Sequence, residues 1–285
     1  MRGDAIPPEL PEAGRIASLD AFPPERRALL DLLRGLSPGD WARPTVCDGW
    51  SVQDLAAHLV ADDLGRLSGQ RDGHRHGAPE PGRLFAWIDR RNHEWVDAMR
   101  RLSGSVLISL LELGGEQSHA FFRSLDPDAP GVPVSWAALE PTPVWLDLAR
   151  ELTERWHHQA QIRLALDAPM LDDPRVLRPV LEAFAFALPV TFATVDAAPG
   201  TAVTLEIPGA AGGVWTVRRG DSGWGLFTGA DASPGARVVL AAEDAWRMYT
   251  RTLPPADIRA AATISGDPSL AERLLTAVAI VADVL

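Results

Sequence analysis

The chain has 285 residues, 46% of them hydrophobic and 23% charged, which is the balance of a soluble globular protein of about two domains. Arginine supplies all 27 basic residues against 38 acidic ones, and the net charge of −11 excludes nucleic-acid binding through a basic surface. No apolar run reaches the ~18–20 residues of a membrane span, the start MRGDAIPPEL does not read as a secretory leader, and the single cysteine, Cys47, excludes an internal disulfide and a multi-cysteine zinc site. A reducing cytoplasm fits this usage.

Helices dominate the first ~165 residues. Pro23-Pro24-Glu25 opens a segment with Leu29, Leu30, Leu32 and Leu33 on its apolar positions. Ser51 stands three before Asp54, a capping-box start, and Val52, Leu55 and Leu59 follow at helical spacing. Further helices are expected from about Gly82 to Leu102 and from Val106 to Leu125, with the proline-rich stretch Asp126 to Pro133 as a loop. Thr142-Pro143 reads as an N-cap before an N1 proline, opening a helix to about Leu166. Asp167-Ala168-Pro169 and Asp172-Asp173-Pro174 mark a linker, dividing the chain into residues 1–168 and 169–285. Beyond it, a helix from Val176 to Val195 is expected to break near Pro189. Four runs favour strands: Thr201–Ile207, Val214–Arg219, Trp224–Thr228 and Val238–Ala241, with a hairpin turn at Arg219–Gly223. Helices at Glu243–Thr252 and Ser269–Val284 close the chain. The fold class is α+β, a helical bundle followed by a small α+β domain.

Seven histidines are present: His58, His74, His76, His93, His119, His157 and His158. Glu154 and His158, four apart on one helix, share a face and suit two ligands of one metal ion. His58 lies near the inward stripe of another helix and would complete a two-histidine, one-carboxylate set with open positions for water and substrate. Spacing by itself equally describes a solvated helix face and a hydrogen-bonded core histidine. It also leaves His157, three from Glu154, in competition with His158. Asp62, four after His58, can serve as an acceptor behind a ligand imidazole, or simply be solvated. Gln161 and Arg150 flank the Glu154 face, within reach of a substrate there.

The stretch from Pro44 to Leu59, with Gly49-Trp50-Ser51-Val52 followed by Ala57-His58-Leu59, resembles the N-terminal signature of the maleylpyruvate isomerase family. These are mycothiol-dependent metalloenzymes of the DinB-like four-helix-bundle superfamily. Glu151 to Arg163 resembles the family's second signature, in which Glu-x-x-x-His supplies two metal ligands. Position 48 departs from the pattern: relatives often carry proline where this chain has Asp48. The strand run around Trp215 and Trp224, with Ile264 to Leu270, resembles the sterol-carrier-like domain appended in the family.

The resemblance implies a DinB-like bundle with His58, Glu154 and His158 as ligands of Zn2+ or another divalent ion. It implies mycothiol as cosubstrate and a small electrophile as substrate, joined in isomerisation or S-transfer. An arginine of the second domain faces the site in related enzymes, and Arg251 is the candidate here, projecting into a cleft between the bundle and residues beyond about Pro174. Two other classes share the ligand set: a non-haem iron oxygenase, and a non-catalytic small-ligand-binding protein with a structural metal.

Overall fold

The computed structural model describes residues 10–74, 77–80, 82–137 and 140–279. Its N-terminal part is a helical bundle built from α1 (Phe22–Arg34), the short α2 (Pro38–Trp41), α3 (Val52–Arg66), α4 (Leu84–Met99), α5 (Gly104–Arg123) and α6 (Val144–Ala165). The capping box that opens α3 is reciprocal. Ser51 Oγ accepts from the Asp54 amide, and the Asp54 carboxylate accepts from the Ser51 amide at 2.9 Å. Ahead of it, Gly49 adopts φ 72° in a turn closed by the Trp50 amide donating to the Cys47 carbonyl at 3.0 Å. That left-handed conformation is open to glycine without steric cost. Helix α3 continues into a wider π turn at Leu67–Arg71. At the α6 start the cap differs from the expected one: Pro143 itself occupies the N-cap position, and the Thr142 hydroxyl instead accepts from the Val134 amide.

Helix α7 (Pro174–Ala185) begins at an Asp173 cap and is followed by α8 (Ala187–Phe192). The break falls at Phe186, so Pro189 sits in the first turn of α8, where a missing amide proton costs no intrahelical bond. Strands β1 (Ala202–Ile207), β2 (Gly213–Arg219), β3 (Trp224–Thr228) and β4 (Ala236–Val239) lie close to their expected places. Helix α9 (Ala242–Tyr249) follows them. Helix α10 (Pro255–Ala261) and strand β5 (Thr263–Gly266) were not expected. Helix α11 (Pro268–Leu274) is shorter than the expected helix, whose last residues lie outside the described ones. The sheet order is β3-β2-β1-β4-β5, antiparallel except for the parallel β1–β4 pair. The architecture is α+β.

Two cores result. One lies within the bundle, around Leu29, Leu33, Leu55, Leu59, Leu107 and Leu111. The other runs from Phe22, Phe122 and Trp156 through Phe184 and Tyr249 to Val203 and Val217 of the sheet. The expected division at residue 168 is crossed by this second core. It is crossed also by the first described segment, where the Ala13 amide donates to the Leu226 carbonyl of β3. Among the described residues no helix is long and apolar enough to cross a membrane.

Candidate functional site

Helix α6 is buried on two sides for two different reasons. Leu152, Trp156 and Ala160 form an apolar stripe that packs toward the second core, with Trp156 against Trp246 of α9 at 5.4 Å between ring centroids. Asp147, Arg150, Glu151, Glu154, His158 and Gln161 recur at three- and four-residue intervals and form a polar stripe on the other side. That stripe faces α3, and the two helices bring His58, Glu154 and His158 together. His58 Nε2 lies 3.1 Å from His158 Nε2 and 3.6 Å from Glu154 Oε1, which is 3.0 Å from His158 Nε2.

Donors held tetrahedrally at about 2.0–2.2 Å from one ion stand roughly 3.3–3.6 Å apart, close to the separations here. The three atoms therefore fit a single divalent cation. Gln161 supports this orientation. Its Oε1 can only accept, so the 2.7 Å contact with His158 Nδ1 places that ring's proton on Nδ1 and turns the Nε2 lone pair toward His58 and Glu154. The same Oε1 accepts from Cys47 Sγ at 3.3 Å, and Gln161 Nε2 donates to His157 Nε2 at 3.3 Å. His58 Nδ1 is buried and has no hydrogen-bond partner among the described residues.

Electrostatics follow from this crowding. Burial disfavours a charged His58, but the carboxylates of Asp62 and Glu154 outweigh it and raise its pKa to about 9. Burial would raise Glu154, yet the imidazoles of His158 and His58 hold it well below the usual carboxylate range. Burial first, and the His158 imidazole beside it second, push His157 down to about 3, so His157 is neutral at pH 7. Beneath the site runs a chain of buried ion pairs. Asp63 accepts from Arg26 at 2.6 Å and from Arg155 at 2.8 Å. Arg155 also reaches Glu151 at 2.6 Å, and Arg66 joins Glu151 to Asp147. Gly114 of α5 leaves room for this, because a Cβ there would stand 2.9 Å from the Asp63 carboxylate.

Residues 22–163, which contain all three converging side chains, match the mycothiol maleylpyruvate isomerase N-terminal domain family. The chain carries a domain of that family. Among solved structures, a histidine-to-alanine variant of the mycothiol-dependent maleylpyruvate isomerase is similar, at 14% identity and a TM-score of 0.48, over 81% of this chain and 86% of the other. The sterol carrier protein 2-like 2 of Aedes aegypti matches 33% of this chain and 93% of its own, at 22% identity and a TM-score of 0.28. No curated protein sequence matches the chain.

In this maleylpyruvate isomerase-type domain the three residues sit in an open pocket of about 660 Å³, lined by residues between Cys47 and Gln161. Its far wall is α4, which contributes Trp87, Arg91, His93 and Trp95. This corrects the expected cleft between the bundle and the chain beyond Pro174. Trp156 stands two positions from both Glu154 and His158, about 200° round the helix, so the sheet domain packs on the side of α6 away from the pocket. Arg251 accordingly does not line the pocket. It is exposed just after α9, with φ 54°.

Asp62 also differs from its expected role. Its Oδ2 lies 3.6 Å from His58 Nε2, the nitrogen that faces the other donors, and not behind the ring at Nδ1. Of the remaining histidines, His93 is at the rim with its ring 5.5 Å from that of Trp50, His119 lines a separate small cavity, His74 is exposed, and His76 lies outside the described residues. Trp87 and Arg91 were not singled out by the sequence. Only the packing of α4 across α3 turns them toward the pocket.

Proposed function

We propose that the protein is a divalent-metal enzyme that uses a low-molecular-weight thiol, mycothiol by its family, to isomerise a small electrophile bearing a carboxylate. The observation that carries this reading is the convergence of His58, Glu154 and His158 within one accessible pocket of a domain of that family. A divalent ion bound there supplies Lewis acidity that makes a thiol available as its thiolate near neutral pH. His58, Glu154 and His158 hold the ion, and Gln161 keeps the His158 tautomer that permits it. Trp50, whose ring lies 5.3 Å from that of His58, and Trp87 supply apolar walls that exclude water from the reacting atoms.

Arg91 is suited to the carboxylate of the electrophile. Its guanidinium lies over the Trp87 ring at 4.5 Å and has no acidic partner among the described residues. The two other arginines of the pocket, Arg66 and Arg150, are already paired with Asp147 and Glu151. Thiolate addition to a conjugated cis double bond converts it to a single bond. Rotation and expulsion of the thiolate then give the trans isomer and return the thiol, whereas persistence of the adduct gives S-transfer.

The deciding assay offers the metal-loaded protein maleylpyruvate with and without mycothiol. Turnover that requires the thiol without consuming it supports isomerisation. Stoichiometric thiol loss reassigns the protein to S-transfer, and turnover without thiol overturns the reading. Arg91→Gln should raise KM for the anionic substrate about 10–100-fold, the cost of a lost charged hydrogen bond, with metal content unchanged by elemental analysis.

A further inference from the structure

Helix α4 turns one stripe toward the pocket: Trp87, Ile88, Arg91, Asn92 and Trp95, which recur at three- and four-residue intervals. Trp87, Ile88 and Trp95 are large and apolar, and they stand about one helical turn to either side of Arg91. Neither hydrophobic core contains any of the three. Trp95 is 36% exposed, and Val132, which lines the pocket from the loop after α5, is 37% exposed. Apolar side chains open to water in a concave site mark where an apolar part of a ligand is buried.

The charges around this wall suit a single carboxylate. Arg91 has no acidic partner among the described residues, whereas Arg66 and Arg150 are held by Asp147 and Glu151. Asp48, Asp62 and Asp89 also line the pocket, and among the described residues no arginine pairs with any of them. A second carboxylate on the substrate would meet these anions and no free guanidinium, and like charges brought together are costly. We infer that the electrophile is a monocarboxylate with an aromatic acyl group, a cis-3-aroylacrylate, its carboxylate on Arg91 and its ring against Trp87 and Ile88. This rests on the thiol-dependent isomerase reading. The thiolate adds to the alkene carbon bearing the carboxylate, and the electron pair moves onto the ketone oxygen. After rotation the pair returns and expels the thiolate, so no atom is gained or lost.

The test first measures binding to the full, metal-loaded chain by titration calorimetry, with 3-phenylpropionate and succinate as unreactive probes. 3-Phenylpropionate should bind about 10–100-fold more tightly, the gain from burying a phenyl ring. Ile88→Ser should cut that ratio about tenfold. Ile88→Ala should act in the same direction and stands in for it if the serine variant lacks a native far-UV circular dichroism spectrum. Leu113→Ser, at an exposed residue of α5 outside the pocket, should leave the ratio as in the wild type. Equal or tighter binding of succinate, or an unchanged ratio in a folded Ile88 variant, overturns the assignment whatever the protein catalyses. Turnover with mycothiol is then compared for cis-3-benzoylacrylate and maleylpyruvate, and kcat/KM should favour the aroyl substrate about 10–100-fold. A preference for maleylpyruvate overturns this assignment and leaves the isomerase reading intact. Tighter binding of 3-phenylpropionate with no thiol-dependent turnover of either compound supports the aryl carboxylate site and sinks the isomerase reading.

Discussion

His58→Ala is expected to release the metal and bring thiol-dependent turnover to background, while helical content by circular dichroism persists. The effect is large because the pocket offers three converging donors, and losing one leaves two that share a single helix. Of the three, His58 alone comes from α3, whereas Glu154 and His158 share α6. His158→Ala should do the same. His157→Ala should keep its metal, because His157 Nε2 accepts from Gln161 and His157 is not one of the three converging donors. Its cost is one buried hydrogen bond, ~1–3 kcal/mol. Elemental analysis after dialysis against metal-free buffer reads all three. Stoichiometric metal in the His58 variant would sink the proposed site.

Asp63→Asn is expected to destabilise the fold by about 3–5 kcal/mol, measured as a lower urea midpoint at unchanged slope. The amide nearly preserves shape but leaves Arg26 and Arg155 without the charge that neutralised them in a fully buried setting. These pairs tie α1, α3 and α6 together, so the loss spreads across the bundle. The same network predicts the acid response. Burial opposes the ionised forms of Asp63 and Glu151, but their arginines outweigh it and lower both pKa values. Their stabilisation is therefore complete above the unfolded pKa of about 4 and is lost as pH falls below it. Urea midpoints from pH 7 down to pH 3 should fall more steeply in the wild type than in Asp63→Asn. Parallel slopes would show that Asp63 does not hold this charge.

Much of this was legible in the chain because it is encoded locally. The Ser51–Asp54 box, the Glu154–His158 spacing and the alternating strands around Trp215 depend on neighbours within a few residues, and short-range geometry is the same in any context. Helix α10 and strand β5 escaped notice for the opposite reason. The stretch Thr263–Gly266 is too short to show a period, and it is a strand because β4 lies beside it. Likewise Asp126 to Pro133 announces a loop by composition alone, whereas the position of the Pro189 break depended on where the first turn of α8 falls.

By itself the sequence determined the α+β class and the pair of helices that carry the candidate ligands, since both follow from residue type and helical period, while the choice of His58, Glu154 and His158 over His157 came from the family resemblance. Which wall closes the pocket was decided only by tertiary structure. The rotation of α6 sends Trp156 toward the sheet domain and Glu154 toward α3, so α4 with Trp87 and Arg91 closes the site while Arg251 remains outside it. The side to which Asp62 turns was decided in the same way. Spacing of four places it on the same face as His58, but only the folded geometry puts its carboxylate on the Nε2 side of that ring, 3.6 Å away, and not behind it at Nδ1.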